Sequence, residues 1–213
     1  MQLHEWAQQP EAFRDEEWEQ NFLNALVQGQ VEIVSDEPMS GPDGWPYMLV
    51  KTSAEAEEPS RNLLHWLSEN GVGLVINSHK EMPDYVFTYG MIWNFRHNGH
   101  FLSSKDALPD KTGEIVFKQG QQVHAGDANE AYLPKYARDI LKQFFKQQNV
   151  DSPKILVMSS DGKNYDLVIS LDAIGNPPKE EHQGILEAIS WFLPLGYSLI
   201  LASEEGLPPF FDL

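Results

Sequence analysis

Between residues 133 and 202 the spacing of apolar residues changes repeatedly, and that alternation restricts the fold more than any other feature. Tyr136, Ile140, Leu141, Phe144 and Phe145 recur at three- and four-residue steps, which predicts a helix over 133–147. Residues 154–159 and 166–171 read as short apolar strands on either side of Asp161-Gly162, a turn pair, and so as an antiparallel hairpin. Asn176-Pro177-Pro178 breaks the chain. Helical spacing then returns over 179–192, with Ile185, Leu186, Ile189, Trp191 and Phe192 as the apolar set, and 197–202 closes as a strand. The order α-β-β-α-β predicts an α+β layer, one sheet with helices on one face.

The first half is less regular. From Pro10 onward, Phe13, Trp18, Phe22, Leu23, Leu26 and Val27 fall at helical steps, acids fill the first turns and Gly29 is a natural stop. Strands are expected at 31–34, 47–51 and 72–77, with a helix at 61–70 capped by Ser60 and ended by Gly71. Residues 85–89 and 91–96 read as strands. Asn98-Gly99 then joins two aromatic runs as a type I′ hairpin turn, which requires positive φ at both positions. Short strands are expected at 114–118 and 121–124, and a linker near 125–131. The expected architecture is therefore α+β with two small α/β-sandwich-like domains, 1–125 and 131–213. Each has a mixed or antiparallel sheet with helices on one face, and the sequence shows no internal repeat.

Charge narrows the function classes. Fifteen Lys and Arg stand against 32 Asp and Glu, a net charge of −17. Residues 1–60 hold 13 acids and two bases, Arg14 and Lys51. Nucleic acid and anionic membranes, which need neutralising cations, are excluded as partners, while a basic protein suits the acidic first part. A solvated acidic surface that keeps the chain soluble is the plainer reading. There is no cysteine, so disulfides, thiolate metal sites and cysteine nucleophiles are ruled out. The opening segment has neither the basic nor the apolar stretch of a signal peptide, and no apolar run is long enough to span a bilayer. A cytoplasmic protein is expected.

Few residues are arranged for chemistry. His97 and His100 flank Asn98-Gly99; across a two-residue hairpin they face one another, which begins a divalent-metal site. His79, Glu81, Asp84, His124 and Asp127 are the candidates to complete it, and a metal-binding protein or metal-assisted hydrolase is the alternative function. His79-Lys80-Glu81-x-x-Asp84 also offers acid–base groups beside a strand end. No G-x-S-x-G elbow, phosphate-binding glycine loop or H-E-x-x-H pair is present. Tyr85, Phe87, Tyr89, Met91, Trp93 and Phe95 are expected to be core. Trp45 and Asp43, in the Gly- and Pro-rich loop 40–46, and Glu16, Glu17 and Glu19, in the acidic helix, are the candidate partner-binding residues. The closing segment 207–213 is apolar to its end, which predicts that Phe210 and Phe211 pack down.

The helix at 133–147, the hairpin at 155–171, the run WFLPLGYSLILAS and the closing Pro209-Phe210-Phe211 resemble the C-terminal domain of the SseB-like (enhanced serine sensitivity) family of bacteria. More loosely, Lys51-Thr52-Ser53-Ala54-Glu55 is similar to that family's F-T-S-x-E strand end, with Lys51 in place of Phe. Gly73 to Asn77 is similar to its strand ending in Asn-Pro, with Ser78 in place of Pro. Residues 83–125 have no counterpart. The resemblance implies a cytoplasmic α+β protein of two related halves without established catalytic residues, some relatives being immunity-like proteins encoded beside toxins. The expected function is a non-enzymatic, acidic protein-binding or regulatory module with no cofactor.

Overall fold

Asp15 accepts a hydrogen bond from the Trp18 amide (2.9 Å) and so starts the first long helix in the computed structural model, which describes residues 1–102 and 123–213. The predicted helix from Pro10 is therefore broken. A short helix α1 (Leu3–Ala7) precedes it, Glu11–Phe13 form one 3-10 turn, and α2 runs over Glu16–Gln28. Arg14 sits between them with φ −90° and ψ 80°, outside helical space. Its guanidinium donates to the carbonyls of Gln9 and Ala7, each at 3.1 Å. Phe13, counted in the apolar stripe, is 68 % exposed.

The chain divides into two compact units, Met1–Phe101 and Leu102–Leu213. In the first, β1 (Gln30–Ile33), β2 (Met39–Ser40), β3 (Pro46–Lys51), β4 (Glu58–Pro59), α3 (Ser60–Asn70), β5 (Gly73–Ile76), β6 (Tyr85–Phe87) and α4 (Tyr89–Asn98) follow α2. Helix α3 begins at Ser60 itself, behind Pro59, and Ser60 Oγ is buried without a hydrogen bond, so Ser60 is not the cap. Among the described residues the sheet order is β4-β1-β3-β5-β6, with β2 beside β3. β3 and β5 are parallel and the other pairs antiparallel. Trp18, Phe22, Leu26, Leu64 and Leu67 bury against the face that carries Val31, Met48, Val50, Leu74 and Ile76. Phe22 stacks on Tyr85, with centroids 6.0 Å apart.

The expected strand at 91–96 and its hairpin are corrected. Thr88 Oγ1 accepts from the Met91 amide and starts α4, and Gly99, with φ 82°, ends it as a left-handed C-cap. Asn-Gly supplies positive φ to either structure. Every residue from Tyr89 to Asn94 is buried, so the alternation of Met91, Trp93 and Phe95 carried no information about period. Of the set expected to be core, Phe87, Tyr89 and Trp93 are wholly buried and Met91 is buried, while Tyr85 and Phe95 are half-buried.

In the second unit, β7 (His124–Gly126), α5 (Lys135–Gln147), β8 (Lys154–Ser159), β9 (Asp166–Ser170), α6 (Lys179–Ser190), β10 (Ser198–Ala202) and β11 (Phe211–Asp212) follow the sequence pattern closely. The expected strand at 114–118 and the first half of that at 121–124 lie outside the described residues. His124, expected to end that strand, and Ala125 and Gly126, expected in the linker, all pair with β8. The sheet runs β10-β9-β8, with β7 and β11 sharing the other edge of β8. Asp161 accepts from the amides of Lys163 and Asn164, each at 2.8 Å, and Gly162 takes φ 69°, which closes the predicted β8–β9 hairpin.

Both units repeat one arrangement, in the α-β-β-α-β order that the predicted elements of each half follow. α2-β1-β3-α3-β5 and α5-β8-β9-α6-β10 are each a helix, an antiparallel pair, a crossover helix and a strand parallel to the one before it. Right-handed crossovers put α3 and α6 on corresponding faces. Phe144 of α5 packs on Phe192, two residues beyond the end of α6, with ring centroids 4.9 Å apart. The opposite face of the second sheet has Leu156, Met158 and Val168 as its buried centre, packed by Leu207 and Phe210 of the closing segment and by Val123. Phe210 packs as expected, whereas Phe211 is 39 % exposed and the buried closing residue is Leu213.

Deleting residues 207–213 uncovers that face and removes β11. Buried apolar side chains contribute about 1.5–3 kcal/mol each, and about 2–4 °C of melting temperature follows each kcal/mol. The melting temperature, read by circular dichroism, is expected to fall by roughly 10 °C. An unchanged melt refutes the packing.

Candidate protein-docking face

The outer face of the first sheet is built by strand alternation. Register pairs Met39 with Tyr47, Tyr47 with Gly73, Leu49 with Val75 and Val75 with Val86. Side chains paired this way share one face, and it is the face turned away from the helices. Tyr47 lies across the sheet between two glycines. A Cβ on Gly73 would stand 2.6 Å from the Tyr47 ring and from the Phe87 carbonyl, and one on Gly41 would stand 2.8 Å from the same ring. Glycine is needed at both positions to seat the ring. The Tyr47 hydroxyl donates to Asp43 Oδ2 at 2.6 Å, and Asp43 Oδ1 accepts from the Trp45 amide at 3.1 Å. These contacts fold the β2–β3 turn over the sheet.

Beside Tyr47 a cavity of about 410 Å³ opens, floored by Leu49, Val75 and Val86 and walled by Met39, Pro42 and Pro83; among the described residues no helical one lines it. Asp43 and Ser78 are its polar margin. Met39 is 51 % exposed, Val86 43 % and the neighbouring Met82 73 %. Exposed apolar side chains gathered in a depression mark a docking surface more often than a bare sheet does. The unit that carries them holds 16 acids and five bases.

The candidate partner-binding residues fall on two layers. Asp43 lines the groove, and half-buried Trp45 stands in the same turn. Glu16 and Glu17 are exposed on α2, across the sheet. Glu19, also on α2, accepts from the Tyr85 hydroxyl at 2.7 Å. Burial, and then the Glu19 carboxylate, push the Tyr85 hydroxyl well above its usual range.

The metal candidates are placed differently from the hairpin that suggested them. His97 is in α4 with its ring edge to Trp93, and His100 follows the Gly99 cap, its Nδ1 donating to the Asn98 carbonyl at 3.1 Å. His79 is exposed in the β5–β6 loop. Among the described residues no three His, Asp or Glu side chains lie together to hold a metal ion.

The expected acid–base loop is occupied by structural bonds. Asp84 is buried, and its Oδ1 accepts from Arg14 at 2.7 Å. Oδ2 accepts from Lys80 at 2.6 Å and from Asn77 Nδ2 at 2.5 Å. Lys80 and Arg14 also both donate to the Ala7 carbonyl, so this carboxylate ties the segment before α2 to the β5–β6 loop. Asn77 adopts φ 59° and continues the parallel ladder: its amide donates to Val50, and its Oδ1 accepts from the Thr52 amide at 2.9 Å. Burial raises the Asp84 pKa, but hydrogen bonds from Lys80, Asn77 and Arg14 and the Lys80 charge outweigh it, holding the carboxyl below the ordinary 3.8.

Leu49, Val75 and Val86 escaped the sequence reading. Their alternation is visible, but only the cross-strand register shows that one row joins them. No protein-family model, curated protein or solved structure matches the chain.

Asp84→Asn removes the charge between two cations and is expected to cost about 3 kcal/mol at neutral pH. A carboxylate held below its unfolded pKa stabilises fully above that unfolded value, and its contribution is lost as pH falls through the folded one. The gap between wild type and variant in urea midpoint therefore closes on acidification below about pH 4; a gap independent of pH overturns this account. Gly73→Ala drives a Cβ into Tyr47 and the Phe87 carbonyl, and a loss of about 1–3 kcal/mol in urea unfolding is expected.

Proposed function

We propose that this chain is a non-enzymatic protein-binding module that docks an apolar, positively charged segment of a partner protein on the helix-free face of its first sheet. The observation that carries the reading is the open apolar groove of Leu49, Val75 and Val86 with Asp43 at its margin, in a unit where acids outnumber bases three to one. Apolar floor supplies affinity, and the acidic field supplies encounter rate and choice of partner. The resemblance to the SseB-like family, whose relatives include immunity-like proteins, supports the same class of role. The one loop with an acid–base motif has Lys80 and Asp84 bonded to each other and to neighbouring main chain, which favours a structural role for it.

Val86→Glu places a charge on the groove floor at a site exposed enough to leave the fold intact. Partner capture from a lysate of the source cells is expected to be strong for the wild type at about 0.05 M salt and weak at about 0.5 M. It is expected to be absent for Val86→Glu at either salt, with the melting temperature unchanged. Equal capture by wild type and variant refutes the groove.

A further inference from the structure

A strand at the edge of a sheet presents unpaired main-chain donors and acceptors, and folded chains blunt such edges with short strands, charge, proline or bulges. Most edges here are blunted in that way. β4 is two residues long and ends in Pro59, β6 has three residues, and β7 and β11, of three and two residues, share one edge of β8. β10 is different. It is five residues long, Ser198-Leu199-Ile200-Leu201-Ala202, with no charge and no proline, and all five pair with β9 in one unbroken register. Among the described residues no strand pairs with its other side.

The Leu171 amide donates to the Ala202 carbonyl at 2.8 Å, which fixes the direction of the main-chain groups of β10. Those groups alternate along a strand, so Ser198, Ile200 and Ala202 turn theirs toward β9, and Leu199 and Leu201 turn theirs outward. The strand is nearly symmetric about Ile200, with a leucine on either side and a small residue beyond each leucine. A second copy related by a two-fold axis at Ile200 sets Leu199 opposite the partner's Leu201, and Leu201 opposite the partner's Leu199. Both are hydrogen-bonded pairs of an antiparallel ladder, in which each residue exchanges its N–H and C=O with the one opposite, so every outward group is satisfied. Ile200 meets the partner's Ile200 in a non-hydrogen-bonded pair, where side chains approach most closely. It stands there in the row with Leu156 and Val168, so the apolar face continues from one copy to the next.

Charge favours the same arrangement. Glu204 and Glu205 follow β10 directly, and antiparallel pairing keeps the acids of the two copies at opposite ends of the ribbon, whereas parallel pairing would align them. The second unit holds 16 acids and ten bases, so it opposes its own copy less than the first unit does with 16 and five. We infer that β10 is a self-association edge, through which two copies of this chain pair antiparallel about Ile200 and join their second sheets into one. The two-fold consumes the edge on both copies, so assembly closes at a dimer. This inference is independent of the docking groove, which belongs to the first unit.

The test uses the full chain at about 0.15 M salt, where charge repulsion is screened beyond about 8 Å. Sedimentation equilibrium is expected to give a mass that rises with concentration from one chain toward two and no further. Amide exchange at Leu199 and Leu201 is expected to slow over the same range. The chain has no cysteine, so single substitutions report the register. Ile200→Cys places two thiols on Cα atoms about 4.5 Å apart, within disulfide reach, and is expected to form a covalent dimer when treated with diamide. Ala202→Cys lies on the same face but holds the thiols on Cα atoms more than about 13 Å apart, and is expected to stay uncrosslinked. A mass of one chain at every concentration overturns the proposal, and so does equal cross-linking at the two positions. If either variant fails to fold, exchange at Leu199 and Leu201 in the wild type decides, and exchange independent of concentration refutes the edge.

Discussion

Parallel strands cannot be joined by a tight turn, and the crossover they require commits one face of a sheet to a helix. Both units are organised by this constraint. β3 must reach β5 through α3, and β9 must reach β10 through α6. The preceding helices, α2 and α5, gain most by packing beside those crossovers, because the apolar stripes are already gathered there. The consequence is a sheet with a dry helical side and a second side that the arrangement itself does not cover. What covers that second side distinguishes the two halves. In one, the chain's own closing segment lies over Leu156, Met158 and Val168. In the other, a turn held by Tyr47 and Asp43 covers part of the face and leaves the groove beside it.

Asp84 illustrates how a functional-looking motif can be a structural one. His, Lys, Glu and Asp in a loop at a strand end have the composition of an acid–base site. Here Lys80 and Asp84 bond each other, Arg14 arrives from outside the loop, and the Ala7 carbonyl receives both cations. A buried carboxylate that accepts from three donors, two of them cations, is held ionised. Arg14 also lies 4.8 Å from the Trp18 ring centroid, so the same side chain sets the entry to α2. The break between the short helices and α2, which apolar spacing ran straight through, is where this ionic contact overrides local helical preference.

How much was legible varies with how local the determining contacts are. α5, the β8–β9 hairpin, α6 and β10 were read nearly to their ends because each is set by its own period and turn residues. The region 89–101 was misread because Asn-Gly serves a type I′ turn and a helix C-cap equally, and because a helix buried on every side loses its period. Asp43 and Trp45 were legible as a loop that does something; the groove floor was not. Leu49, Val75 and Val86 come from three strands far apart in the chain, and period two says that they share a face without saying whether anything covers it. The repeated α-β-β-α-β order stood in the predicted elements of both halves; its strand pairing did not, because the two halves meet the same pairing with different residues.

Covering a face with a segment of the same chain and covering it with a partner impose different demands on the face. The segment 207–213 is tethered, so its docking costs mainly the ordering of a few residues, two of which are prolines. A separate chain must also offset the loss of translational and rotational freedom, on the order of 4–15 kcal/mol. A face waiting for a partner must therefore be apolar enough to return that cost yet small enough to stay soluble when empty. The first sheet meets both conditions by partial cover. Tyr47 is buried flat between Gly41 and Gly73, which removes the largest apolar ring from water, while Leu49 and Val75 are left half-buried at the floor and Val86 exposed at the edge. The acidic surroundings act against the remaining hazard, because like-charged copies repel one another.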